Sequence, residues 1–76
     1  MRDEGHLEML LTVRQRLQKW RAYRGLNVYQ LCELSGVSHT TIYRFEIGES
    51  ADMQLSTLYL LARALKVPMS RLLTGF

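Results

Sequence analysis

Between Asn27 and Gly48 the chain reads NVYQLCELSGVSHTTIYRFEIG, and this stretch leaves few folds open. Leu31, Leu34 and Val37 precede Ile42 and Phe45, so apolar residues recur at helical spacing on both sides of Gly36. Gly36 stands after the last residues of the first segment. There a left-handed backbone ends a helix, and glycine takes that conformation without strain. Ser38 then offers a side-chain oxygen to cap the next helix. Cys32 falls where the second helix must approach closely, a crossing that suits a small side chain. Two short helices across a glycine turn make a helix-turn-helix, and the second helix of such a pair can enter a DNA major groove.

The rest of the chain reads as helices around this pair. Residues 1–5 look like a frayed end, and a helix is expected from about His6 to Arg24. Leu10, Val13, Leu17 and Trp20 form its apolar stripe, with basic and amide residues opposite. Leu7 and Leu11 lie off that stripe and either extend the core or face a partner. Gly25 ends this helix and Asn27 caps the next. The second helix is expected over Val28 to Ser35, and the third from His39 to about Ile47, closed by Gly48. After the polar connection ESADMQ a fourth helix should run from Leu55 to Lys66, with Leu55, Leu58, Leu61, Ala62 and Leu65 inward. Pro68 cannot continue a helix but suits the first turn of a new one, which predicts a fifth over Met69 to Thr74. No alternating run suggests a strand. The expected fold is all-α, one domain over residues 1–76 with its helix-turn-helix at 28–47.

Composition narrows the function. A chain of 76 residues buries a modest core, so pairing with a second copy would help it. Ten Lys or Arg against seven Asp or Glu give a net charge of +3, which is permissive for nucleic acid without establishing it. Arg14, Arg16, Lys19, Arg21 and Arg24 crowd just ahead of the motif, and for most of them a solvated helix face is the expected role. One cysteine allows no internal disulfide, which fits a reducing cytosol. Cys32 and the two histidines lack any zinc-ligand spacing, so Cys32 is expected as a small core residue and no metal or other cofactor is expected. The polar start MRDEGHLE is unlike a secretory signal, and no apolar run is long enough to span a bilayer. A cytoplasmic protein with no membrane partner follows. With no Gly-rich phosphate loop and no nucleophile beside a histidine and a carboxylate, an enzyme is not expected.

From Val13 to Thr74 the sequence resembles the Cro/CI-type (XRE, lambda-repressor-like) helix-turn-helix proteins. The resemblance is carried by Val13, Leu17, Trp20 and Arg21, the turn Gly25-Leu26-Asn27, LCELSGVSHTTIYRFEIG, LSTLYLLARALKVP and the closing SRLL, in that order and spacing. It implies a compact five-helix domain that binds double-stranded operator DNA as a two-fold homodimer, its third helix in the major groove. Carried over by position, His39, Thr40 and Arg44 are base-reading, with Arg44 foremost because its planar fork matches guanine O6 and N7. Tyr43, one turn after His39, is expected at a base or a phosphate. Ser38 matches a phosphate position, and Asn27, Tyr29 and Gln30 are further phosphate candidates near the start of the second helix. Arg21 and Glu46 match a structural salt bridge that sets the angle of the recognition helix.

The sequence also departs from that pattern. Val28 stands where many members carry a phosphate-clamping Gln. Ile47 replaces a usually polar residue, and Glu49 and Ser50 replace a commonly basic loop, which should weaken phosphate binding. The connecting loop is about one residue longer than the commonest form. His39 and Tyr43 stay open between base contact and plain surface, and Arg44's alternative is an ion pair with a nearby carboxylate. Met69, Leu72, Leu73 and Phe76 either pack on the first helix or form a self-complementary dimer patch, the latter being preferred. A transcriptional regulator, most simply a repressor, is the leading expectation. The alternative is an interaction module, such as an antitoxin or accessory protein, whose partner is another protein.

Overall fold

The computed structural model describes the backbone of residues 4–50 and 53–73, with side chains from Val13 onward. It contains α1 (Glu4–Tyr23), α2 (Val28–Ser35), α3 (His39–Glu46), α4 (Leu55–Leu65) and α5 (Met69–Leu73), and no strand among the described residues. The first helix takes in Glu4 and Gly5, which the sequence reading placed in a frayed end. The third stops at Glu46 and the fourth at Leu65, one residue short of expectation in each case. Thr74 lies outside the described residues.

Local chemistry explains the boundaries. Asn27 and Gln30 form a capping box at the start of α2: each side-chain oxygen accepts from the other residue's backbone N–H at 2.8 Å. Gly36 ends α2 at φ +76°, its N–H donating to the Cys32 carbonyl at 2.9 Å. The same left-handed turn after α4 is made by Lys66 at φ +61°. That conformation costs a non-glycine residue on the order of 1 kcal/mol. It persists because the Lys66 and Val67 N–H groups take up the carbonyls of Arg63 and Ala62, and because Val67 is buried.

Two layers of contact assemble these helices. α1 packs on α3 and α5, α2 on α3 and α4, and α4 on α5. Leu17, Leu31, Ile42, Phe45, Leu61, Leu65 and Leu72 are fully buried where they meet. Each such side chain contributes roughly 1.5–3 kcal/mol of burial. Trp20 and Cys32 are half-buried against this core. The side chains of Leu7, Leu10 and Leu11 lie outside the described residues.

Three expected positions are corrected. Leu34 is 62% exposed, because the inward face of the two-turn α2 runs through Val28, Leu31 and Cys32 and leaves Leu34 on the neighbouring face. Leu55 is 66% exposed, standing one turn ahead of Leu58, the first side chain of α4 to reach the core. Leu72, expected on a dimer patch, is buried within the single domain. The docking of α5 on both α1 and α4 uses its inward face for intramolecular packing. Met69 is half-buried against the same core, Leu73 is at the surface, and Phe76 lies outside the described residues.

Candidate nucleic-acid interface

Helix α3 divides cleanly. Ile42, Phe45 and Glu46 point inward, while His39, Thr40, Thr41, Tyr43, Arg44 and Ile47, the residue that caps its end, are exposed. Ser38 caps the helix: its Oγ accepts from the Thr40 N–H at 3.2 Å, leaving its hydroxyl proton to donate outward. All the sequence-expected base-reading residues therefore share the solvent side of one short helix.

The inner side is clamped by α1. Arg21 meets the Glu46 carboxylate through both forks, Nε to Oε2 at 2.8 Å and Nη2 to Oε1 at 2.7 Å, and its Nη1 donates to the Leu26 carbonyl at 3.0 Å. The hydrogen bond to Glu46 raises the Arg21 pKa above its ordinary value. Desolvation opposes the rise and the carboxylate's charge adds to it, so the guanidinium stays charged. Two further side chains, not anticipated from the sequence, extend this clamp. Arg14 Nε donates to the Phe45 carbonyl at 2.7 Å with its guanidinium over the Phe45 ring, and Gln18 Nε2 donates to the Glu46 carbonyl at 2.8 Å. Residues 14, 18 and 21 recur at helical spacing, so one face of α1 supplies donors to the Phe45 and Glu46 carbonyls, which lack the i+4 bond at the end of α3, and to the Glu46 carboxylate. Positive charge at a helix C-terminus is also favoured by the helix dipole. Helix α3 is held at its end and exposed along its outer face.

Most of the basic run ahead of the motif is thus engaged in structure. Arg24 Nε donates to the Leu65 carbonyl at 2.8 Å, and its guanidinium lies over Trp20 and Tyr23. With Arg14 and Arg21 also bound to carbonyls or carboxylate, three of the five residues are not a plain solvated face. From Leu26 to Ser50, Arg44 is the only Lys or Arg. Its Nε lies 3.2 Å from Glu49 Oε1, the ion pair that was its alternative role.

The start of α2 borders this face. Asn27 and Gln30 have their side-chain oxygens engaged in the capping box, which leaves both amide NH₂ groups able to donate. Tyr29 is exposed and its ring stacks on His39, centroids 4.8 Å apart and planes 28° from parallel. Together with Arg21, Asn27, Val28 and Tyr43 these two rings line a shallow recess between the starts of α2 and α3. Among the described residues no three of His, Cys, Asp and Glu gather as metal ligands, and no helix is long and apolar enough to cross a membrane.

A family model described as helix-turn-helix matches residues 17–72, which covers the C-terminal third of α1, all of α2, α3 and α4, and α5 up to Leu72. No curated protein matches the chain at a significant level.

Proposed function

The chain belongs to the helix-turn-helix family of Cro/CI type, a DNA-binding family, and we propose that it is a sequence-specific transcriptional regulator, a cytoplasmic repressor that binds palindromic operator DNA as a homodimer. The observation that carries this reading is the exposed outer face of α3, set on a helix whose buried end is gripped by Arg14, Gln18 and Arg21. In this reading Arg44 takes guanine O6 and N7 with its fork, a contact that discriminates by ~1–3 kcal/mol. Thr40 meets a neighbouring base edge or a thymine methyl, and Tyr43 and His39 read the adjacent positions. The Ser38 hydroxyl and the amide groups of Asn27 and Gln30 donate to phosphates, with Tyr29 beside them. Leu73, on the open side of α5, and Met69 and Phe76 supply apolar surface for the second copy.

A second reading is supported by different residues. Tyr29, Tyr43 and Ile47 are more than half exposed around α3, and Arg44, the one Lys or Arg in the sequence from Leu26 to Ser50, is already paired. Such a surface also suits a protein partner.

Selection of binding sites from a random duplex pool at near-physiological salt separates the readings. Enrichment of an inverted repeat supports both the sequence-specific and the dimeric parts of the proposal, and the spacing of its halves measures the distance between recognition helices. A single enriched half-site keeps the regulator and removes the stable dimer. No enrichment by folded protein removes the regulator and leaves the protein-partner reading, whose binding should be nearly insensitive to salt.

A further inference from the structure

The turn that closes α3 brings an acidic side chain onto the foremost base-reading candidate. The Gly48 N–H donates to the Phe45 carbonyl at 3.2 Å and the Glu49 N–H to the Arg44 carbonyl at 2.9 Å. These are the two bonds of a Schellman turn, with Gly48 left-handed at φ +84°. That turn sets the residue two after the cap against the residue three before the cap, and the contact between them is ordinarily apolar. The corresponding pair after α4, Ala62 and Val67, follows the rule, and both are buried. After α3 the pair is Arg44 and Glu49, an ion pair whose side chains are 58% and 59% exposed. Arg14 steadies the turn by holding the Phe45 carbonyl and by lying beside Gly48.

Resting on the DNA-binding reading above, we infer that Glu49 is a specificity-determining residue that positions Arg44 for guanine and disfavours its use on phosphate. The contact falls on Nε, on the flank of the guanidinium, so the fork for a guanine edge is the pair of Nη groups. A phosphate also offers the fork two acceptors, but it brings a second negative charge up against the Glu49 carboxylate, which the neutral guanine edge does not. The carboxylate also places a negative charge close to the DNA backbone. Affinity for arbitrary sequence is largely phosphate neutralisation, so Glu49 lowers that background. A guanine edge offers its two acceptors without that charge, so the operator complex keeps its gain from Arg44 while Glu49 keeps hold of Nε.

The test compares the duplex enriched by selection with a scrambled duplex of equal length, across a salt series, for the parent, E49Q, R44A and R44A/E49Q. Glutamine keeps the size of the side chain, and the turn itself is held by backbone bonds. Expected for E49Q is a gain of about two- to fivefold on scrambled DNA with a smaller gain, or a loss, on the selected duplex, so that the preference ratio drops. In R44A the ratio should already be low, and adding E49Q should leave it unchanged. An unaltered ratio in E49Q, with preference lost in R44A, overturns the role of Glu49 and leaves DNA recognition standing. An equal change in ratio with and without Arg44 also overturns it, because the effect would then be carried by charge alone. A parent protein without any sequence preference overturns the regulator reading and this inference with it.

Discussion

Breaking the Arg21–Glu46 bridge should be asymmetric, and the asymmetry can be worked out from burial. The carboxylate side chain is 6% exposed and the guanidinium 22%. Arg21→Ala removes both charged donors and strands Glu46 in the interior, whereas Glu46→Ala leaves Arg21 with its bond to the Leu26 carbonyl and a path to water. Removing one partner of a buried pair costs about 3–5 kcal/mol, and R21A should fall in that range. For E46A the guanidinium can rehydrate in part, so a loss of about 1.5–3 kcal/mol, close to one charged hydrogen bond, is expected. The double variant removes the stranded charge, so it should be no less stable than R21A, and the coupling between the two sites should be large. Urea unfolding followed by circular dichroism at about 15 °C, near the usual stability maximum, measures all three. The range of about 0.05–0.15 kcal/mol per residue makes R21A a severe variant of so short a chain. Glu46→Ala proving as damaging as Arg21→Ala, or a double variant at the sum of the singles, would refute the burial argument.

Other outcomes follow from single positions. Leu72→Ala should lower stability by about 2–5 kcal/mol, the range for a buried leucine; a difference from the parent that stays the same across protein concentrations checks that the loss is intramolecular. Gly48→Ala meets only the Arg14 guanidinium at 3.7 Å, an ordinary contact, so its cost should be the torsional one of about 1–2 kcal/mol; a larger loss in urea unfolding would mean that the clamp on α3 is also disturbed. Lys66→Gly relieves a left-handed non-glycine residue at a helix end and should stabilise by about 0.5–1 kcal/mol, read as a raised melting temperature.

Much of this architecture is legible one segment at a time. Helix ends at Gly25, Gly36 and Gly48, and caps at Asn27 and Ser38, depend on the backbone conformation that a residue and its near neighbours allow, so they can be read locally. The apolar period likewise picked out Leu17, Leu31, Ile42, Phe45, Leu61 and Leu65 as inward residues. Arg21 and Glu46 were reachable through family resemblance, which carries tertiary information in the form of position.

What the sequence did not disclose is how side chains are used once helices meet. Leu34, Leu55 and Leu72 are similar as letters, yet two are exposed and one is buried, because burial depends on which neighbouring element covers a face. The basic run of α1 reads as solvated surface until the end of α3 presents its carbonyls to Arg14 and Gln18, and the end of α4 presents Leu65 to Arg24. The same holds for Tyr29 and His39, ten residues apart in sequence and stacked in space. Backbone conformation is set largely within a turn of helix, so sequence alone determined where the helices lie. The partners of an arginine or an aromatic ring are set by groups far along the chain, and only the packed tertiary structure decided them.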